Sequence, residues 1–152
     1  MEIERKFLLK ELPPHLSRYP HTHLVQGYLS VSPVVRVRKE GDSFFLTYKG
    51  DGLMMREEYN HPLSREAFEH LLEKTDGTVI TKERYRIPFG AYTIELDIFS
   101  GLYEGLILAE VEFPTEEEAN AFIPPSWFGT EVTLDGRYHN SYLSSHTYEE
   151  IQ

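Results

Sequence analysis

Glu2-Ile3-Glu4-Arg5-Lys6 alternates charge with bulk at the period of a β-strand, and Phe7-Leu8-Leu9 continues it. Successive side chains of a strand point to opposite faces, so Glu2, Glu4 and Lys6 share one face while Ile3, Phe7 and Leu9 share the other. Two carboxylates two positions apart stand about 7 Å from each other along a strand. That spacing lets them grip a divalent cation, and the ammonium one step further grips an anion. A metal-bound anion satisfies both.

The alternation recurs along the chain. Val35 and Val37 alternate with Arg36 and Arg38, Leu46 and Tyr48 with Thr47 and Lys49, and Met55 and Glu57 with Arg56 and Glu58. Ile94, Leu96 and Ile98 alternate with Glu95 and Asp97, and Val111 and Phe113 with Glu110 and Glu112. Lys82, Arg84 and Arg86 fall on one face. These segments, bounded by Gly, Pro, Asn or Asp, predict strands over 1–10, 23–31, 34–40, 43–50, 53–60, 78–88, 91–99 and 106–113. Glu40-Gly41-Asp42, Gly50-Asp51-Gly52 and Gly90 mark turns. Ser64 and Thr115 are placed to cap two short helices with acids in their first turns, and a third helix is expected over 137–147. The chain therefore reads as mainly β, of the α+β kind: an antiparallel barrel with peripheral helices, in a single domain over 1–152.

A strand with one apolar face and one solvated charged face is a common arrangement, and each of these strands taken alone fits it. Together they do not, because their charges segregate by sign. Acids pair at Glu2/Glu4, Glu95/Asp97 and Glu110/Glu112, and bases at Arg36/Arg38 and Lys82/Arg84. Like charges two apart on one face repel unless a counter-ion or ligand neutralises them. Turning these faces inward gives a hydrophilic tunnel whose apolar outer wall packs against the helices.

Composition narrows what such a tunnel holds. The chain has 152 residues, no cysteine and a net charge of −10. Its length suits one core. The lack of cysteine excludes disulfides, thiolate catalysis and zinc–thiolate sites, and with a charged N-terminal stretch the cytoplasm is the expected compartment. No apolar run approaches the length of a membrane helix, and the negative charge disfavours wrapping nucleic acid. The expected partner is a small molecule, with neither nucleic acid nor membrane, and the chain is expected as a monomer or homodimer. Yet Lys6, Arg36, Arg38, Lys49, Arg56, Lys82 and Arg84 gather a large share of the 15 basic residues on the tunnel faces. Guanidinium forks bind phosphate oxygens in pairs, and carboxylates hold the Mg²⁺ or Mn²⁺ that bridges to them. Acids, bases and hard metals together point to polyphosphate chemistry. No GxxxxGK[ST] stretch is present, which excludes a P-loop enzyme.

At these residues the chain resembles the CYTH family, the triphosphate tunnel metalloenzymes. The family's ExExK signature appears as Glu2-Ile3-Glu4-Arg5-Lys6. The likeness continues in order through Arg36-Val37-Arg38, Thr47-Tyr48-Lys49-Gly50, Arg56-Glu57-Glu58, Lys82-Glu83-Arg84-Tyr85, Ile94-Glu95-Leu96-Asp97 and Ala109-Glu110-Val111-Glu112-Phe113. It implies a closed eight-stranded antiparallel tunnel and two divalent ions. Glu2, Glu4, Asp97, Glu110 and Glu112 match the metal side; Lys6, Arg36, Arg38, Lys49 and Arg84, with Lys82 beside them, match phosphate ligands. Glu58 matches a further tunnel carboxylate, and Glu4, Lys82 and Glu58 are the candidate catalytic residues. Arg56 either faces the tunnel or pairs with a neighbouring acid. For the basic residue that relatives carry near the C-terminus, Arg137 is the first candidate and His139 the second.

The resemblance implies hydrolysis of inorganic tripolyphosphate to pyrophosphate and phosphate. Its other branches keep open a class IV adenylate cyclase and hydrolases of nucleoside or thiamine triphosphate. A non-catalytic polyphosphate-binding module is a further alternative. Of the remaining polar and aromatic residues, Arg86 and Lys10 are expected in solvent near strand ends. His15, His21 and His23 are expected on a surface loop. Tyr28 and Trp127 are expected in packing roles, Glu57 in a structural one, and Glu116–Glu118 in a solvated helix start favoured by the helix dipole.

Overall fold

The computed structural model describes residues 1–146. Its strands are β1 (Glu2–Leu9), β2 (His21–Val31), β3 (Val34–Glu40), β4 (Ser43–Lys49), β5 (Met55–Arg56), β6 (Glu58–Pro62), β7 (Asp76–Phe89), β8 (Tyr92–Phe99), β9 (Ile107–Glu112) and β10 (Phe128–Glu131). Its helices are α1 (Arg65–Leu72), α2 (Glu116–Ala121) and α3 (Asn140–Leu143). Neighbouring strands run β10-β1-β9-β8-β7-β2-β3-β4-β6, and β5 returns to pair with β1. Every pairing is antiparallel. The result is a nearly closed barrel.

Where the pattern predicts eight strands, the hydrogen-bonded path holds nine. The addition is β10, a short strand after Pro124-Pro125 that pairs with the far half of β1. The strand predicted at 53–60 divides at Glu57, so that β6 pairs with β4 and β5 with β1. That last seam is short: Glu2↔Arg56 and Ile3↔Met55 pair across it, and Glu4 N–H donates to Met54 O at 3.0 Å. Gly41 (φ +56°) and Gly90 (φ +60°) open the two-residue loops of their hairpins, in a backbone region that a side chain disfavours.

Ser64 and Thr115 cap α1 and α2, each accepting a backbone N–H three residues on at 3.1 Å. The helix expected over 137–147 is instead a 3₁₀ turn at Gly136–Tyr138 followed by α3, because His139 between them is extended and serves as the N-cap of α3. Residue 147 lies outside the described residues. Among the described residues no helix is long and apolar enough to cross a membrane.

The outer wall packs as its alternation requires. Phe68 of α1 covers Val37 and Phe44, while Ala119 of α2 and Phe122 just after it cover Phe7, Phe113 and Phe128. The inner wall departs from expectation. Its charged positions give way to apolar ones at one end: Lys6 to Leu8, Glu110 to Leu108, Lys82 to Ile80, Arg36 to Val34 and Asp97 to Phe99. These bury with Tyr28, Tyr103, Val132 and Leu143 of α3 in one apolar cluster. The barrel is filled at that end and hollow along the rest.

Candidate active site

The hollow part is a cavity of about 340 Å³. Strand pleating puts Glu2, Glu4 and Lys6 of β1 on its wall, and Glu110 and Glu112 of the adjacent β9. Across from them stand Arg36 and Arg38 of β3, Lys49 of β4 and Arg84 of β7, with Arg56 and Glu58 near the seam. The charges that alternate along the sequence thus gather around one cavity, with Lys6 among the acids of β1 and β9 and with Glu40, Glu58 and Glu95 beside the bases.

The register fixes the acidic wall. Glu4 lies directly opposite Glu112, and Lys6 opposite Glu110 with an ion pair of 3.4 Å. No hydrogen bond or ion pair reaches the Glu4 carboxylate from the described residues. Burial, with Glu110 and Glu2 beside it, pushes its pKa up to about 8. Glu110 is buried too, but Lys6 and Arg84 outweigh that and hold it well below the usual carboxylate range. Burial and the neighbouring Glu58 raise Glu112. Glu2 accepts from Lys49 Nζ at 3.0 and 3.1 Å and lies 3.5 Å from Arg56, so Arg56 both lines the cavity and pairs with an acid. Burial and a hydrogen bond with Glu58 still raise Glu2 to about 7. Glu58 feels the opposite balance: burial raises it, but hydrogen bonds from Glu2, Lys49 and Asn60 hold it down at about 2.

On the basic wall, Arg36 is buried and its Nε has no hydrogen-bond partner among the described residues. Leaving a charged donor unsatisfied is costly. Arg38 donates from Nε to Gln26 Oε1 at 2.9 Å and from Nη1 to Glu40 at 3.1 Å. Burial and the neighbouring Arg36 and Arg84 lower its pKa to about 10, which leaves it charged near neutrality.

Several expected residues stand elsewhere. Asp97, expected on the metal side, lies off the cavity wall: it pairs with Lys82 Nζ at 2.7 Å and with Arg84 Nε and Nη2 at 2.7 and 2.8 Å. Lys82, expected to bind phosphate, is fully buried behind the wall, where its ammonium also donates to Asn140 at 2.8 Å and sits over Phe99. Burial lowers Lys82 to about 7 despite Asp97. Arg137 is exposed and paired with Asp135, away from the cavity. His139 is half-buried, and burial with Lys6 and Arg56 nearby lowers it to about 3, so it carries no charge near neutrality.

Arg86, expected in solvent, lines the cavity and donates to Thr22 at 3.1 Å. Its parity with Lys82 and Arg84 was the available signal. Tyr28 packs in the core, as expected, and also lines the cavity floor. Asn140 and Ser141 of α3 reach the cavity from a segment without strand periodicity. His21 and His23 are exposed on β2 rather than in a loop.

Asp97→Asn is expected to destabilise the fold by about 3–5 kcal/mol, because buried Lys82 loses the carboxylate it pairs with and Arg84 loses its two-pronged partner, keeping Glu95 at 3.1 Å and Glu110 at 4.0 Å. Urea unfolding of the two proteins measures it. Equal midpoints would mean that these ion pairs do not hold the wall together.

Among the described residues no three His, Asp or Glu side chains already converge on one metal position. The donor set still fits Mg²⁺ or Mn²⁺, which are commonly bound by one or two carboxylates plus substrate phosphates. Glu4, without a hydrogen-bond or ion-pair partner among the described residues and raised by its acidic neighbours, is the group a cation would relieve.

Comparison with known proteins agrees with this geometry. The CYTH domain family model matches residues 1–138. An inorganic triphosphatase of Nitrosomonas europaea is 44% identical over 149 residues, covering 94% of this chain and 96% of that protein. One of Acetivibrio thermocellus is 37% identical over 158 residues, covering 99% and 97%. A crystal structure of an inorganic triphosphatase superposes with a TM-score of 0.72 at 39% identity, covering 96% of this chain and 95% of the other. An ordered series of charged strands, folded so that acids and bases gather around one cavity and matched over nearly its whole length, places this chain in the CYTH family.

Proposed function

We propose that this protein is an inorganic triphosphatase that hydrolyses tripolyphosphate to pyrophosphate and phosphate. The observation that carries the reading is the cavity itself, which buried guanidinium groups line together with a row of carboxylates. Relatives that match almost end to end bear the same name. Metal dependence is general among CYTH triphosphatases, and the donors here suit Mg²⁺ or Mn²⁺, read as two ions.

In this reading Arg36, Arg38, Arg84, Lys49 and Lys6 bind phosphate oxygens, and the cations beside the reacting phosphorus spread the negative charge that develops in the transition state. Glu2, Glu4, Glu110 and Glu112 would hold the cations. A bound divalent ion supplies charge neutralisation and a water of lowered pKa. Lys82 and Asp97 act from behind the wall by fixing Arg84, and Glu58 holds Lys49 at 3.3 Å.

Phosphate release from tripolyphosphate with Mg²⁺ or Mn²⁺, with and without excess chelator, tests the proposal. Release that stops on chelation is the expected result. Tight binding without release would make the chain a polyphosphate-binding module. Cyclic AMP formed from ATP would make it a cyclase.

A further inference from the structure

Gln26 is fully buried on the inner face of β2, beside the basic wall, and neither charge pattern nor family motif draws attention to it. The antiparallel register sets it directly opposite Arg38. Its Oε1 accepts from Arg38 Nε at 2.9 Å, and its Nε2 donates to Tyr28 Oη at 2.9 Å and to Asn140 Oδ1 at 3.3 Å. The same Asn140 oxygen accepts from Lys82 Nζ at 2.8 Å.

Donor and acceptor chemistry leaves this chain one consistent direction. An ammonium only donates, so Lys82 demands the oxygen of Asn140. That oxygen can only accept, so Gln26 must present its NH₂ there. The carbonyl of Gln26 is then turned to Arg38, whose guanidinium also only donates. Two neutral amides, Asn140 and Gln26, therefore link two cations that repel each other. With Nε on Gln26 and Nη1 on Glu40, no group among the described residues claims Arg38 Nη2.

We infer that Gln26 is a positioning residue, which holds the guanidinium of Arg38 in the orientation that binds a phosphate oxygen. The inference rests on the triphosphatase reading and deepens it. Gln26 makes no contact with substrate in this scheme; its effect passes through Arg38. Without it, Arg38 loses its Nε acceptor in a buried site and turns toward Glu40, which weakens ground-state binding more than it slows the chemical step.

The test is a double-mutant cycle of Gln26→Met and Arg38→Ala, read in kcat and KM for tripolyphosphate and in its Kd by calorimetry. Methionine keeps the length and volume and removes both hydrogen-bonding atoms; Gln26→Leu is the second variant should methionine not fold, as judged by its melting transition. Gln26→Met alone is expected to raise KM and Kd about 10-fold or more with kcat within about threefold. In the Arg38→Ala background the same change is expected to cost less than about twofold. Losses that multiply, or a folded Gln26→Met protein with parental KM and Kd, would overturn the inference. A parent protein that binds tripolyphosphate without hydrolysing it would sink the proposed function instead, and the Kd cycle would still decide the role of Gln26.

Discussion

Glu4→Gln is expected to abolish turnover, by roughly 10²- to 10³-fold in kcat, while the fold stays intact. The substitution is isosteric and removes only a charge. Glu4 lies on the cavity wall between Glu2 and Glu110, and no partner among the described residues competes for its carboxylate. Losing about 3–4 kcal/mol of transition-state stabilisation corresponds to that loss of rate. The check is steady-state hydrolysis of tripolyphosphate at saturating Mg²⁺ and Mn²⁺. Near-parental turnover would remove Glu4 from the metal side.

The same substitution has a signature without metal. The folded-state pKa of Glu4, about 8, lies above its ordinary value of 4.5. Between those values the folded chain keeps a proton that the unfolded chain has released. Its stabilising contribution is therefore full below about pH 4.5 and is lost as the pH rises through about 8. Glutamine does not titrate and escapes this loss. In chelator, Glu4→Gln should thus melt above the parent by a margin that grows from pH 5 to pH 8.5. A margin that shrinks over that range would contradict the electrostatics of the acidic wall.

Much of this site was legible because a strand has one strict rule. Parity alone puts Glu2, Glu4, Lys6, Arg36, Arg38, Lys49, Arg84, Glu110 and Glu112 on inward faces, and all of them line the cavity. Parity says nothing about depth. Lys82, Asp97 and Arg84 share the inward faces of neighbouring β7 and β8, yet Lys82 and Asp97 neutralise each other behind the wall while Arg84 reaches the cavity. Nor does it say where an inward face turns apolar, which filled one end of the barrel with Leu8, Leu108, Val34 and Phe99. The C-terminal segment has no strand parity to read. Charge alone points to Arg137, but a 3₁₀ turn directs it to Asp135, and the uncharged Asn140 reaches the cavity instead. Hydrogen-bonded amides such as Asn140 and Gln26 carry no periodic signal, because one of each suffices.

Tripolyphosphate is expected to be preferred over ATP by roughly 10- to 10⁴-fold in kcat/KM. Cations reach the cavity from β1, β3, β4, β5 and β7, so a bare phosphate chain can be held along its whole length. Both ends of tripolyphosphate carry full terminal charge. Attaching adenosine removes one ionisable oxygen, and the nucleoside must then be lodged somewhere. The floor is occupied by Tyr28 and Val34 over the apolar cluster that fills the barrel, so adenosine cannot pass out that way. Glu40, Glu95 and Glu112 also border the cavity, and among its lining residues only Phe45 adds a second aromatic ring. A purine base stacks on aromatic or planar surfaces, and two separate rings offer it little. Each charge-assisted hydrogen bond that the nucleotide forgoes is worth about 1.5–3 kcal/mol, so one or two give the stated range. The measurement is kcat/KM for both substrates at equal free Mg²⁺. Equal values, or a preference for ATP, would overturn the inorganic assignment while leaving the family and the cavity untouched, since a nucleotide would then be reading a surface beyond the phosphates.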